Sequence, residues 1–172
     1  IQDILVVLFQ GLSAATAVIL GNELGAGHLK RAEKDAVHFF ILQFIATVGV
    51  AVVLIGIRWP IIGLYNITPE VARDVSLCIL IFAAYMPAKM FNYVNVVGVL
   101  RSGGDTKMCL FLETSGVWFI GVPLAFLGAL VWKLPIYTVY ALVMTEEVYK
   151  AVLGYIRYRQ KKWLRNLASD VG

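Results

Sequence analysis

Apolar residues in this chain come in long blocks, without the alternation of a half-buried strand or the narrow stripe of a surface helix. The first block, 4–21, contains no charge, and the second, 36–57, contains none if His38 is neutral. Each is long enough to cross a hydrocarbon core of about 30 Å at about 1.5 Å per residue. Three more blocks follow at 75–98, 108–132 and 134–156, interrupted only by Lys89, by Glu113, and by Glu146, Glu147 and Lys150 respectively. The pattern predicts an all-α, polytopic membrane bundle of five transmembrane helices. It forms a single membrane domain over 1–172, with a tail at 157–172.

Local residues punctuate these blocks. Gly25 and Gly27 in "GNELGAGHLKRA" are placed to end the first helix, and a charged segment from His28 to Asp35 is expected to lie along the membrane face. Small residues four apart (Gly11 and Ala15, Ser13 and Ala17) make the first helix a close-packing one. Pro87 in the third block and Pro123 in the fourth lack the amide hydrogen a helix interior needs, so a kink is expected at each. Gly116, Gly121 and Gly128 add close approach to the fourth.

Composition agrees with a lipid environment, with 60% hydrophobic and 15% charged residues. The net charge of +4 is mostly a topology signal. Ten of the Lys and Arg residues (Lys30, Arg31, Lys34, Arg101, Lys107, Arg157, Arg159, Lys161, Lys162, Arg165) fall on one side of the five-span pattern. Only Arg58, Arg73 and Lys133 fall on the other. The positive-inside rule then makes the C-terminus cytoplasmic. Cations spread over helix ends do not form a nucleic-acid surface, so no nucleic-acid partner is expected. Cys78 and Cys109 fall at opposite membrane faces and cannot pair. His28 and His38 have no Cys, Asp or Glu at ligand spacing around both, so no metal site is expected. The chain opens without Met and without a signal-peptide pattern, which reads as the C-terminal part of something longer.

Charges at mid-membrane are the candidate chemistry. On the third helix Tyr85, Lys89 and Asn92 share a face at about 100° per residue, with Asn95 at its edge. A lysine so far from both interfaces costs roughly 2.5 to 3.5 kcal/mol on insertion scales, so it calls for a water-filled cavity or a carboxylate. On the fifth helix Glu146 lies about 16 Å along the axis from Pro135. Glu146 and Lys150 are i and i+4 in the favourable order, and Glu147 points about 100° away. Either the Glu146–Lys150 pair serves packing alone, or one carboxylate trades a proton or a cation as the protein changes shape. Glu113, near the cytoplasmic end of its helix, reads as a hydrated carboxylate. No nucleophile with a reachable His, metal-ligand cluster or phosphate-cradling loop is present, so an enzyme is not expected.

The segments "GLSAATAVILGNELGAGHLKRA", "GVLRSGGDTK", "GVWFIGVPLAFLGA" and "RYRQKKWLRNL" together resemble the multidrug and toxic compound extrusion (MATE) transporters over nearly the whole chain. The resemblance implies two lobes of six helices, with these five spans as helices eight to twelve and an N-terminal lobe as partner. It implies a multi-pass protein of the cell membrane exporting organic cations or other xenobiotics. Exchange would be for Na+ or H+, with no cofactor beyond the coupling ion. Many members carry an acidic residue in the tenth helix, where this chain has Lys89 and no Asp or Glu between Asp74 and Asp105. The resemblance therefore leaves the coupling acid to Glu146, Glu147 or the other lobe. A Lys89 pairing with one of these glutamates would neutralise both and give a two-state element. The alternative of similar fold is a lipid-linked oligosaccharide flippase, whose cavity would want a basic lining.

Overall fold

The computed structural model describes residues 2–165 and folds them into five helices joined by short turns. Helix α1 spans Gln2–Gly25 and α2 spans Leu29–Gly63. Helix α3 runs over Pro69–Leu100, α4 over Thr106–Val131, and α5 over Ile136–Arg159. The last residues of the expected tail, 166–172, lie outside the described residues. The first four helices are long and apolar enough to cross a membrane. Helix α5 is of comparable length, 24 residues, but carries the charges that the neighbouring helices cover.

Helix α1 ends where its glycines require it to end. Gly27 takes φ 77°, a left-handed conformation that only glycine adopts at little cost, and the His28 amide donates back to the Glu23 carbonyl at 2.8 Å. The expectation of a separate surface segment over His28–Asp35 needs correcting. His28 is the N-cap and Leu29 to Asp35 form the first turns of α2, which continues unbroken for 35 residues. At 1.5 Å per residue α2 is about 50 Å long, more than a hydrocarbon core, so its charged start can stand in water as the same helix. Helix α3 starts on a side-chain cap, with Thr68 Oγ1 accepting from the Val71 amide and Pro69 in the first turn.

Helices α3 and α4 depart from α geometry, whereas α2 stays α-helical through its own Pro60. Helix α3 stays α-helical through Pro87 to Asn92, then widens into π-helical turns over Tyr93–Leu100. Helix α4 is π-helical over Val117–Gly121 and Leu127–Val131, with Pro123 in the α-helical turn between. A missing amide hydrogen at Pro123 frees a carbonyl one turn earlier, and a wider turn is one way to re-pair it.

Helix α3 is the axis of the bundle. Its α-helical part packs along α2 and α5 and its π-helical end along α1. Two apolar clusters flank it. One gathers Phe9, Leu54, Phe82, Met86 and Met90, and the other Leu20, Leu24, Val96, Leu100, Leu112 and Trp163. Lys89 and Asn92 lie where α3 passes from one cluster to the other. Outward faces of α2 and α4 expose residues such as Ile45, Val52, Trp118 and Phe119. A contiguous apolar surface of this kind is matched by lipid and not by water.

Candidate functional site

Charged residues on α3, α4 and α5 meet in one pocket of about 370 Å³. Its centre is Glu147, whose side chain is 4% exposed. Glu147 Oε1 accepts from Lys89 Nζ at 2.9 Å, and Oε2 accepts from Asn92 Nδ2 at 2.9 Å. The same Asn92 nitrogen donates to the Glu147 carbonyl at 2.8 Å, and Lys150 Nζ stands 3.3 Å from Oε2. Four groups from α3 and α5 are thus tied together by charge-assisted bonds. Counting along α5, Glu147 is about 17 Å from Ile136 and about 18 Å from Arg159, the middle of the helix.

Lys150 is a second node. Its side chain is 6% exposed and its Nζ lies 3.3 Å from Glu147, 3.5 Å from Glu146 and 3.8 Å from Glu113. The glycines of α4 make room for these side chains. A Cβ on Gly116 would fall 2.9 Å from the Lys150 stem, and one on Gly121 would fall 2.5 Å from Glu146 Oε2. Small residues on α4 therefore seat the charged face of α5 against bare backbone.

The candidate residues from the sequence are sorted by this geometry. Lys89, Asn92, Glu146 and Glu147 line the pocket together. Tyr85 is half-buried and is not among the lining residues. Asn95 is fully buried but elsewhere, with Gly154 of α5 facing it: a Cβ there would meet Asn95 Nδ2 at 2.7 Å. Neither amide atom of Asn95 has a hydrogen-bond partner among the described residues. The α-helical wheel places Asn95 at the edge of the Lys89 face, but the wider turns from Tyr93 onward change that register. Arg101 and Glu113 also line the pocket, a role the sequence reading did not assign them. Glu113 is half exposed but comes within reach of Lys150. The signal for it was the spacing of Glu113 and Gly116 on a helix antiparallel to α5. Both cysteines are free.

At the far end of α5 a second set of contacts fastens the helix to the α3–α4 turn. Arg157 Nε and Nη2 donate to the two oxygens of Asp105 at 2.5 and 2.9 Å, a fork that raises the Arg157 pKa above its ordinary high value. Beyond α5 the chain folds back. Trp163 is fully buried against Tyr158, and Arg165 donates to the carbonyls of Gly103 and Gly104 at 3.0 and 3.1 Å. The room for this hook is the missing side chain of Gly103, whose Cβ would overlap the Trp163 backbone.

A family model described as MatE matches residues 1–127, which hold three helices and most of α4, while Glu146, Glu147 and Lys150 of the pocket lie beyond the match. The chain belongs to the MatE family. Among relatives, it is 22% identical over 154 residues to the uncharacterized transporter YisQ of Bacillus subtilis (strain 168). That match covers 90% of this chain and 34% of the relative. It is 31% identical over 128 residues to the multidrug resistance protein MdtK of Yersinia pseudotuberculosis and of Yersinia pestis, covering 73% of this chain and 27% of each. The chain thus spans about a third or less of the length of these curated relatives. No solved structure matches it significantly. Family and apolar helices together make it a multi-pass membrane protein of a transporter family.

Proposed function

We propose that this MatE chain forms the C-terminal lobe, a single membrane domain with a cytoplasmic C-terminus, of an efflux transporter. The whole protein exports organic cations or other xenobiotics, exchanging them for Na+ or H+ with help from an N-terminal lobe. The observation that carries the reading is Glu147, a carboxylate in the middle of a membrane-length helix, bonded to Lys89, Asn92 and Lys150 beside a pocket. So many charges at mid-depth are costly and mark a functional site by default.

In this reading Lys89, Asn92, Glu146 and Glu147 form the coupling element. Ionised Glu147 ties α3 to α5. A proton or a cation arriving at Glu147 takes over its carboxylate and leaves Lys89 without its partner, while Lys150 keeps Glu146 and Glu113. The tie between the two helices loosens, which biases the lobe toward its other conformation. Transport then follows from one site having two charge states, each favouring one arrangement of helices.

The flippase alternative asks for a basic lining. Lys89, Arg101 and Lys150 are matched here by Glu113, Glu146 and Glu147, so the pocket offers no net positive charge. The efflux reading is tested in the full-length protein with Glu146→Gln and Glu147→Gln, singly and together. Loss of ethidium efflux, or a changed pH dependence of efflux, is expected. Unchanged efflux and unchanged pH dependence in the double variant would overturn it.

A further inference from the structure

The pocket's charges are balanced in number but not in pairing. Glu147 is saturated by two lysines and an asparagine. Lys150 is shared by three carboxylates, and its contact with Glu113 is the longest at 3.8 Å. Arg101 lines the same pocket as an exposed residue, and its guanidinium forms no hydrogen bond or ion pair with another described residue. Two ammonium groups thus face three carboxylates, and the Arg101 guanidinium balances the third in number without pairing with it.

Asn92 adds an independent sign of a ligand. The residue is 4% exposed, lines the pocket, and its Oδ1 has no hydrogen-bond donor among the described residues. Its orientation is fixed by chemistry, because the other amide atom contacts two acceptors and must be the nitrogen. A buried acceptor without a donor is costly, and a ligand that donates would satisfy it.

Resting on the transporter reading above, we propose that this pocket takes a zwitterion. A ligand ammonium sits between Glu113, Glu146 and Asn92 Oδ1, and a ligand carboxylate or other anion pairs with Arg101. The charge count supports this choice over a simple organic cation. A monocation entering a pocket of balanced charge leaves the Arg101 guanidinium still without a partner, whereas a zwitterion supplies a partner of each sign. Arginine also suits the task, since its planar fork recognises a carboxylate through two parallel bonds. The volume of about 370 Å³ lies within the range of small-molecule sites.

The test uses the full-length protein in proteoliposomes and three probes of similar size. They are Nε-dansyl-lysine, its methyl ester and its Nα-acetyl derivative: a zwitterion, a cation and an anion. Dansyl fluorescence titration should show the zwitterion binding about tenfold or more tighter than either relative, the effect of about 1.4 kcal/mol from one added charge pair. Arg101→Gln should bring the zwitterion down to the level of the ester, and Arg101→Lys should restore part of the preference. Equal or tighter binding of the ester, no binding of any probe, or an unchanged preference in Arg101→Gln would overturn the proposal. Ethidium efflux by the wild-type protein is scored in the same vesicles. Efflux without zwitterion preference sinks this inference alone, and absence of gradient-driven efflux sinks the transporter reading.

Discussion

Replacing Glu147 by Gln should cost more stability than replacing Lys89 by Met, although the two residues share one ion pair. At an effective dielectric of about 20, the 2.9 Å Lys89 contact contributes roughly 6 kcal/mol of gross attraction to Glu147. The 3.3 Å Lys150 contact contributes roughly 5 kcal/mol more, and desolvation of the three groups cancels most of both. Lys89→Met removes only the first contact and leaves Glu147 with Lys150 and Asn92, so the loss should be that of one charged hydrogen bond, about 1.5 to 3 kcal/mol. Glu147→Gln removes both attractions. Lys150 keeps Glu146 and Glu113, but Lys89 is left with no carboxylate, and an uncompensated charge in a buried setting costs about 3 to 5 kcal/mol. The double variant should be more stable than Glu147→Gln alone, because it removes the stranded ammonium. Thermal unfolding of the full-length protein in detergent at pH 7 measures the order. A Lys89→Met midpoint as low as that of Glu147→Gln, or a double variant no better than Glu147→Gln, would refute the reasoning.

Three further outcomes follow from other contacts. Gly103→Ala should dislodge the hook after α5, because the new methyl meets the Trp163 backbone, and tryptic cleavage at Lys161 and Lys162 should become faster while α5 stays helical. Burial raises the Tyr158 pKa above its usual 10, so the folded state prefers the neutral phenol. That contribution is fully present below pH 10 and lost as pH rises through the higher folded value; the wild-type midpoint should fall there more than that of Tyr158→Phe. Gly98→Val should push α3 off α1, since even its Cβ would lie 2.9 Å from the Thr16 methyl and 3.4 Å from the Ser13 carbonyl. Overpacking of this kind costs about 1 to 3 kcal/mol in thermal unfolding.

The helices were legible because lipid-facing runs such as 36–57 need no partner to be recognised. Their ends were less so. The charges of Lys30, Arg31 and Lys34 mark the water boundary but not a helix boundary, and α2 runs straight across it. Lys89, Asn92, Glu146 and Glu147 stood out because charge and amide groups at mid-depth are costly wherever they point. Which glutamate becomes the hub was not readable. The wheel of α5 links Glu146 to Lys150, but the packing of α3 against α5 decides that Glu147 meets Lys89. Asn95 was read on α-helical spacing, and the π-helical turns from Tyr93 altered its register. Glu113 read as hydrated because it lies near a helix end, and only the juxtaposition with Lys150 brings it into the pocket.

The claim on which the account rests is that the pocket beside Glu147 holds water within the membrane. Cysteine accessibility in the full-length protein tests it directly. Val97 lines the pocket, whereas Phe119 is 76% exposed on the apolar outside of α4. Val97→Cys should react with a charged thiosulfonate reagent in everted vesicles and be protected by transported substrate, while Phe119→Cys stays unreactive. Labelling of Phe119→Cys with Val97→Cys inert would contradict the account.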